Sequence, residues 1–302
     1  HVRSRRQRQM CIRDSSMFEK MQAANRINDT GSYPYLRSHP LTTERIGAAQ
    51  QRIQLDVDKL PALQSDPLAL MMAARADVLL DSGIDALRGL STRGQAAALE
   101  SLSPARRAGA LYGAALAQAR MRDFTQAQAT VQQLDTALAG LRGNATRHDE
   151  LVRTAGRQLE AEIALMQGDW NRALSRVDLQ SDDRANVMLA ARAHVAGGQG
   201  QAAMQRLQSW VTSHKQDAGA WRELSAALAS QGLRLRALRA DAEASLIELD
   251  YTAALDRLRA AQDLVRSGQI PRDDIETAIV DTRAREAQER LRQQTLEDRV
   301  DQ

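Results

Sequence analysis

Apolar residues recur at helical spacing along most of this 302-residue chain. They stand three or four positions apart from Met17 to Ile27, and the turn sequence of residues 28–31 follows. After Leu60 and Pro61, similar segments alternate with short polar turns as far as the C-terminus. Such spacing is typical of amphipathic helices. Good helix formers dominate and aromatic residues make up only 3% of the chain, so the pattern predicts an all-α protein.

The helical segments after Pro61 share a pattern centred on six turn positions. A small residue stands seven residues before each position, and an alanine stands five residues after it. Nine residues after, the residue is apolar in five cases and Asp241 in the sixth. The six positions are Asp81, Arg122, Gly168, Gly198, Gly232 and Leu249. An internal repeat of this kind predicts an array of helix pairs.

Small residues at these offsets allow two antiparallel helices to approach closely, while the larger residue contacts the next pair. Three turns also place an aspartate and then an aromatic residue at the start of the second helix, and the clearest copy begins at Trp221. These features resemble tetratricopeptide repeats. Residues 61–302 are therefore predicted to form a tetratricopeptide-like helical solenoid.

Two parts of the array depart from a regular period. Gly232 and Leu249 are 17 residues apart, half of the 34 that separate Gly198 from Gly232. The helix between Gly232 and Leu249 is therefore predicted to serve as the second helix of one unit and the first helix of the next. From Asp273 to Gln302 we predict a polar capping helix whose apolar face includes Ile275, Ile279 and Val280.

Charge and cysteine content exclude several classes of function. The net charge of +3 arises in residues 1–16, which hold five arginines and one aspartate, so the rest of the chain is nearly neutral. Without a basic stripe carrying interleaved aromatics, nucleic-acid binding is not predicted. The single Cys11 cannot form an internal disulfide or a CxxC zinc site. No apolar run is long enough to predict a transmembrane segment. Because of their arginines, residues 1–16 are interpreted as a disordered or foreign basic segment.

Residues 35–46 read Tyr-Leu-Arg-Ser-His-Pro-Leu-Thr-Thr-Glu-Arg-Ile and follow a predicted helix that ends in Asn-Asp-Thr-Gly. With the repeats behind it, this stretch resembles the last part of the peptidase domain in periplasmic HExxH zinc metallopeptidases that carry a C-terminal repeat array. The resemblance implies that residues 17–60 are the helical tail end of such a domain. It also implies that His39 is a switchable zinc ligand and that Arg45 lies near the active site.

The chain departs from that family in its metal ligands. An HExxH site needs two histidines four residues apart with a glutamate between them. No two of the five histidines have this spacing: His1, His39, His148, His194 and His214. In the family, the HExxH helix precedes the loop that contains His39, so the resemblance implies a catalytic part upstream. The chain alone is then expected to be inactive and to hold no stoichiometric zinc.

Binding is expected in the groove lined by the first helices of the array rather than on the charged C-terminal helix, because polar side chains remain in the groove after the small residues have packed. The predicted groove residues are Arg157, Glu160, His194 and Arg222. The resemblance implies unfolded or stalled outer-membrane proteins and their assembly machinery as partners, in the periplasm. The alternative is a stand-alone tetratricopeptide adaptor or scaffold, which would have no need of residues 17–55.

Overall fold

The computed structural model describes residues 66–140, 146–271 and 273–300, with side chains as far as residue 297. These residues all belong to one compact unit, Ser65–Gln302. The predicted segments 1–16 and 17–60 lie outside the described residues. In the described part the chain forms thirteen α-helices and no strand, which confirms the all-α prediction. None of these helices combines the length and the apolar character that crossing a membrane requires.

The helices of the first half are α1 (Pro67–Leu80), α2 (Ile84–Thr92), α3 (Ala96–Leu99), α4 (Pro104–Arg120), α5 (Phe124–Gly140), α6 (Arg147–Gln167) and α7 (Trp170–Arg176). Those of the second half are α8 (Arg184–Ala196), α9 (Gly200–Ser213), α10 (Ala218–Ser230), α11 (Arg234–Ile247), α12 (Tyr251–Arg266) and α13 (Asp274–Val300).

From α4 onward, each helix packs against the helix that follows it in the chain. The helices α4, α6, α8 and α10 also contact one another in succession, so they form one layer of the array. Buried apolar residues form successive clusters along the array rather than one central core. Contacts of this nearest-neighbour kind are those of a helical solenoid.

Five of the six predicted turn positions have the left-handed backbone conformation that ends a helix. The φ angle lies between +63° and +87° at Arg122, Gly168, Gly198, Gly232 and Leu249. The N–H of the residue that follows each position donates to a carbonyl five residues earlier, as Asp123 does to Gln118 at 2.9 Å. This is the Schellman arrangement, which provides partners for carbonyls at a helix end. The predicted turns at these five positions are confirmed.

Three of these turns begin the next helix with an aspartate cap. The carboxylates of Asp123, Asp169 and Asp250 accept hydrogen bonds from the N–H three residues ahead, at 3.1, 3.0 and 2.9 Å. Each cap stabilises its helix by about 1 kcal/mol. That is comparable to the roughly 1–2 kcal/mol that a left-handed non-glycine residue costs. The caps therefore offset the strain at Arg122 and Leu249, where glycine is absent.

The small residues predicted at helix–helix contacts are buried in the array. Those that are at most 1% exposed include Ala115, Ala127, Ala161, Ala173, Ala191, Ala203, Ala242 and Ala254. At the helix pair around the Gly232 turn, the small residues are Ser225 and Ala237. The hydroxyl of Ser225 on α10 donates to the carbonyl of Ala237 on α11 at 2.7 Å. A side chain that reaches the backbone of the facing helix shows how closely the two helices approach.

The first predicted unit, centred on Asp81, is built differently. Asp81 is extended, with φ −121°, and its carboxylate accepts a hydrogen bond from the N–H of Gly83 at 2.9 Å. The chain therefore does not turn back tightly, and α1 packs mainly against α4. The prediction of an α1–α2 pair like the other pairs was wrong, because a short extended linker replaces the left-handed turn.

Two glycines on α4 allow α1 to pack this closely. A Cβ atom added at Gly109 would lie 3.0 Å from the Cβ of Leu70 and 3.1 Å from its backbone carbonyl. At Gly113 an added Cβ would lie 3.0 Å from the Cβ of Ala74. Gly109 and Gly113 are one helical turn apart, so together they provide a flat strip on α4 for α1.

The helix between Gly232 and Leu249 has the double role that its spacing predicts. This helix, α11, packs against α10 before it and α12 after it, and it also contacts α13. Asp241 replaces the usual apolar residue and forms an ion pair with Arg257 on α12. The one exception in the repeat pattern is therefore a polar contact between two helices.

The C-terminal helix α13 packs against α12 and α11 through a narrow strip of small residues. Val280, Ala284 and Ala287 are buried, whereas Ile275 is 78% exposed and Ile279 is 37% exposed. The predicted apolar face was therefore wrong at both isoleucines. Residues 280, 284 and 287 share one side of a helix, and packing mainly against α12, with a smaller contact to α11, selects that side.

Candidate partner-binding surface

Arg157 lies on α6 and is exposed. Its guanidinium donates to the carboxylate of Glu150 at 2.8 Å and to the hydroxyl of Thr154 at 2.9 Å, both on the same helix. An exposed ion pair of this type contributes about 0–1 kcal/mol. Arg157 is therefore accessible and can exchange Glu150 for another acidic partner at little cost.

Glu160 does not lie on an open surface. It is only 6% exposed, and its carboxylate forms ion pairs with Arg172 at 2.8 Å and with Arg176 at 3.0 Å. Both arginines belong to α7, so Glu160 connects α6 to its second helix. The expectation that Glu160 lines a groove therefore needs correction, because the carboxylate is already occupied by these two arginines.

His194 and Arg222 lie on two neighbouring first helices, α8 and α10. The half-buried His194 is close to the end of α8, and its Nδ1 atom lies 2.7 Å from Oε1 of Gln199 in the following turn. Arg222 is exposed and forms an ion pair with Glu248, the C-cap residue that follows α11. Of the four predicted groove residues, Arg157 and Arg222 are therefore the exposed cations.

Ion pairs join non-consecutive helices of the array, a feature that the sequence pattern did not indicate. They include Arg75–Glu162 between α1 and α6 (2.6 Å), Arg192–Glu223 between α8 and α10 (2.6 Å), and Arg283–Glu243 between α13 and α11 (2.7 Å). Charges on these helices are therefore partly neutralised by side chains from neighbouring units. An incoming charged segment would compete with these pairs.

Asp217, which caps α10, has the most extensive set of polar contacts at a unit boundary. Its carboxylate accepts from Arg184 on α8 at 2.7 and 2.8 Å, from Nε1 of Trp210 at 3.0 Å and from the N–H of Ala220 at 3.1 Å. These bonds favour the ionised form, and that of Arg184 is the largest cause, so the pKa of Asp217 falls to about 2. One carboxylate thus holds together three successive helices.

A cleft lined by apolar and charged side chains lies at the C-terminal end of the array. This C-terminal cleft has a volume of about 760 Å³. It is lined by Val211, Thr212, Lys215, Gln216, Trp221, Glu243, Leu246, Ile247, Leu249, Tyr251, Arg283, Glu286 and Arg290. The lining comes from the end of α9 and the α9–α10 connection, from α10 and α11, from the α11–α12 turn and the start of α12, and from α13.

The C-terminal cleft was not predicted from the sequence. Trp221 was identified only as the beginning of a repeat copy, and α13 only as a polar cap. The cleft exists because α13 lies against the end of α11, which brings residues about 70 positions apart in the chain to one site. The cationic residues of α13 on the side next to Ala284 and Ala287 are the only sequence signal that could have indicated it.

The predicted zinc ligand His39 and the neighbouring Arg45 lie outside the described residues. Within the ranges that the structure describes, no group of three or more His, Cys, Asp or Glu side chains is arranged to hold a metal ion. The described residues therefore do not fit a zinc site, and no chemical step is assigned to zinc on them.

Comparison with known proteins gives a partial match. No protein-family model matches the chain. The β-barrel assembly-enhancing proteases of Escherichia coli K12, Shigella flexneri and Escherichia coli O157:H7 are each 30% identical to it over 189 residues. The match covers 62% of this chain and 36% of each relative, so the chain spans about a third of the length of the curated relatives it matches. The resemblance indicated by the sequence is thus confirmed as a distant, partial similarity to β-barrel assembly-enhancing protease.

Proposed function

We propose that this chain is the C-terminal part of a zinc-dependent metalloendopeptidase whose helical array binds client proteins during outer-membrane protein assembly and quality control. The observation that carries the proposal is the 30% identity to β-barrel assembly-enhancing protease over 189 residues. A match of that length requires that much of the described helical array takes part in it. The proposed location is the periplasm.

In this proposal the chain contributes binding rather than bond cleavage. The zinc, when bound, would supply the Lewis acid that activates water, and its HExxH ligands would lie in a part of the protein upstream of this chain. His39 would be an additional, switchable ligand and Arg45 would lie nearby. The stand-alone adaptor is the competing interpretation. An HExxH sequence encoded upstream supports the protease, and its absence there supports the adaptor.

Replacing His39 with alanine in the intact protease is expected to raise proteolysis of an unfolded substrate. A fourth protein ligand would displace the water that a zinc hydrolase needs, so its removal would open that position. The measurement is the initial rate of cleavage of a casein-like substrate, with zinc content and thermal unfolding as controls for folding. His148→Ala is the matched control, because His148 contacts Asp66 in the helical array. Equal rates for the two variants would show that His39 does not regulate the metal site.

Client binding is proposed for the surface of the first helices. Arg157 and Arg222 are exposed cations on α6 and α10, and His194 lies on α8 between those helices in the chain order. The present partners of Arg157 and Arg222 are exposed carboxylates in weak ion pairs, which a client carboxylate can replace. Aromatic residues make up only 3% of the chain, so few large anchors are available and the affinity per site should be modest.

The chain is expected to bind unfolded outer-membrane protein segments with an affinity that falls as salt rises. The measurement is a titration of labelled segments, followed by fluorescence anisotropy, at two salt concentrations, with a folded protein of the same net charge as the negative control. Arg157→Glu combined with Arg222→Glu should weaken binding several-fold, by about 1 kcal/mol. Arg266→Glu is the matched control, since Arg266 is an exposed, ion-paired arginine on the second helix α12. Absence of any binding would exclude the proposed client function.

A further inference from the structure

Two cations of the C-terminal cleft have no acidic partner among the residues that the structure describes. Three of its lining side chains are cationic and two are carboxylates. Arg283 uses both carboxylates, since it lies 2.7 Å from Glu243 and 2.7 Å from Glu286. In the part of the chain that the structure describes, no acidic side chain forms an ion pair with Lys215 or Arg290. The cleft can therefore receive negative charge without losing an existing pair.

The cleft is also lined by apolar side chains and by a tryptophan ring that two neighbouring groups hold in position. Nε1 of Trp221 donates to the carbonyl of Lys215 at 3.1 Å, and the guanidinium of Arg239 lies 6.0 Å from the centre of the Trp221 ring. Leu246, Ile247 and Tyr251 are also only partly buried. An aromatic side chain held in position by its neighbours loses little conformational entropy when a ligand covers it. This arrangement favours contact with an apolar side chain.

We propose that the C-terminal cleft binds an extended peptide segment in which an apolar side chain stands next to acidic ones. This inference rests on the proposed client-binding function and adds a second site to the surface of the first helices, with a defined peptide chemistry. The apolar side chain contacts Trp221 and Ile247, and the carboxylates pair with Lys215 and Arg290. The volume of about 760 Å³ lies within the roughly 300–1,000 Å³ that is usual for ligand sites and accommodates a few side chains rather than a folded partner.

In this assignment the C-terminal helix α13 is one wall of the binding site. Arg283, Glu286 and Arg290 all belong to α13. The sequence had suggested that the helix is only a polar cap. In the proposed role, its charged surface instead supplies cations that pair with an acidic segment. Arg290 is the residue whose substitution distinguishes a binding wall from a polar cap.

The test is a titration of the full chain with a short fluorescein-labelled peptide that carries one phenylalanine flanked by glutamates. Arg290→Glu and Lys215→Glu are each expected to raise the Kd roughly fivefold or more, because attraction becomes repulsion at a partly shielded site. Arg292→Glu is the matched control, since Arg292 is exposed on the same helix and does not line the cleft. Its Kd should stay close to that of the unchanged protein. Circular dichroism and urea unfolding establish that the variants are folded.

Two further peptides separate the charge from the apolar contact. With glutamine in place of the glutamates, Arg290→Glu and Arg292→Glu should give the same Kd. With serine in place of phenylalanine, binding by the unchanged protein should be lost. Equal effects of Arg290→Glu and Arg292→Glu on the acidic peptide would overturn the assignment to the cleft. If the unchanged protein still binds outer-membrane protein segments in that case, the proposed client function stands. If it binds no such segment, both the client function and the cleft assignment are refuted.

Discussion

Replacing Asp217 with alanine is expected to lower the free energy of unfolding by about 3 kcal/mol. The substitution removes the cap of α10, worth about 1 kcal/mol. It also leaves the N–H of the buried Trp210 without its acceptor, at a cost of about 1–3 kcal/mol. The ion pair with Arg184 adds less than about 1 kcal/mol because the arginine is largely exposed. Urea unfolding followed by circular dichroism measures the difference.

Asp182→Ala is the control for this change. Asp182 also pairs with an arginine, Arg206 at 3.1 Å, but its side chain is 91% exposed. Its removal should therefore change the free energy of unfolding by less than about 0.5 kcal/mol. Asp217→Asn keeps an oxygen for the N–H of Ala220 and should be intermediate. Similar losses for Asp217→Ala and Asp182→Ala would show that the contacts of Asp217 do not stabilise the array.

The contribution of Asp217 should also depend on pH. Its pKa is about 2 in the folded chain, below the ordinary value of 3.8. A lowered pKa means that the stabilisation is fully present above about pH 4 and is lost as the pH falls through about 2. The difference in unfolding free energy between the unchanged protein and Asp217→Asn should therefore shrink between these values. A difference that stays constant over that range would contradict ion pairing of Asp217.

Replacing Gly109 with alanine is expected to destabilise the protein by about 2 kcal/mol, although alanine is the better helix former. The new Cβ would lie 3.1 Å from backbone atoms of Leu70, and a helix backbone cannot move aside as a side chain can. The two helices α1 and α4 must therefore separate. Thermal or urea unfolding measures the loss, and proteolysis of α1 in native conditions tests for its release.

Gly89→Ala is the matched control for the change at Gly109. Gly89 also lies inside a helix, α2, but an added Cβ there meets no atom within 4 Å. Only the helix propensity then changes, so Gly89→Ala should stabilise the protein by about 0.5–1 kcal/mol. Opposite signs for the two alanine substitutions are the expected result. Stabilisation by both would show that α1 does not pack closely against Gly109.

The local repeat was predictable because short stretches of sequence determine it. The left-handed turns at Gly168 and Gly232 need glycine or a compensating cap, and both requirements are visible within a few residues. Alanines such as Ala127 and Ala173 likewise mark where two adjacent helices meet. The doubled role of α11 followed from the same spacing. In each case the interacting residues are close in the sequence, so the pattern alone was sufficient.

The candidate site was only partly predictable, because side chains on one helix have several possible neighbours. The sequence placed Arg157 and Arg222 on first helices, and the structure shows both exposed. It also suggested Glu160 for the same surface, but the two arginines of α7 draw that carboxylate into the contact between α6 and α7. Glu160 and Ala161 are adjacent in the sequence, so the repeat pattern alone does not show which of the two side chains faces the neighbouring helix. The distances in the folded chain decide between them.

The sequence by itself determined that this protein is all-α, where most of its helices end and which adjacent helices pair. Only the tertiary structure decided that α1 packs on α4 at Gly109 and that α13 forms the C-terminal cleft with Trp221. The first group depends on helix propensity, turn conformation and contacts between neighbours in the chain. The second depends on contacts between residues tens of positions apart, whose formation is set by the combined packing of several helices and leaves no local signal.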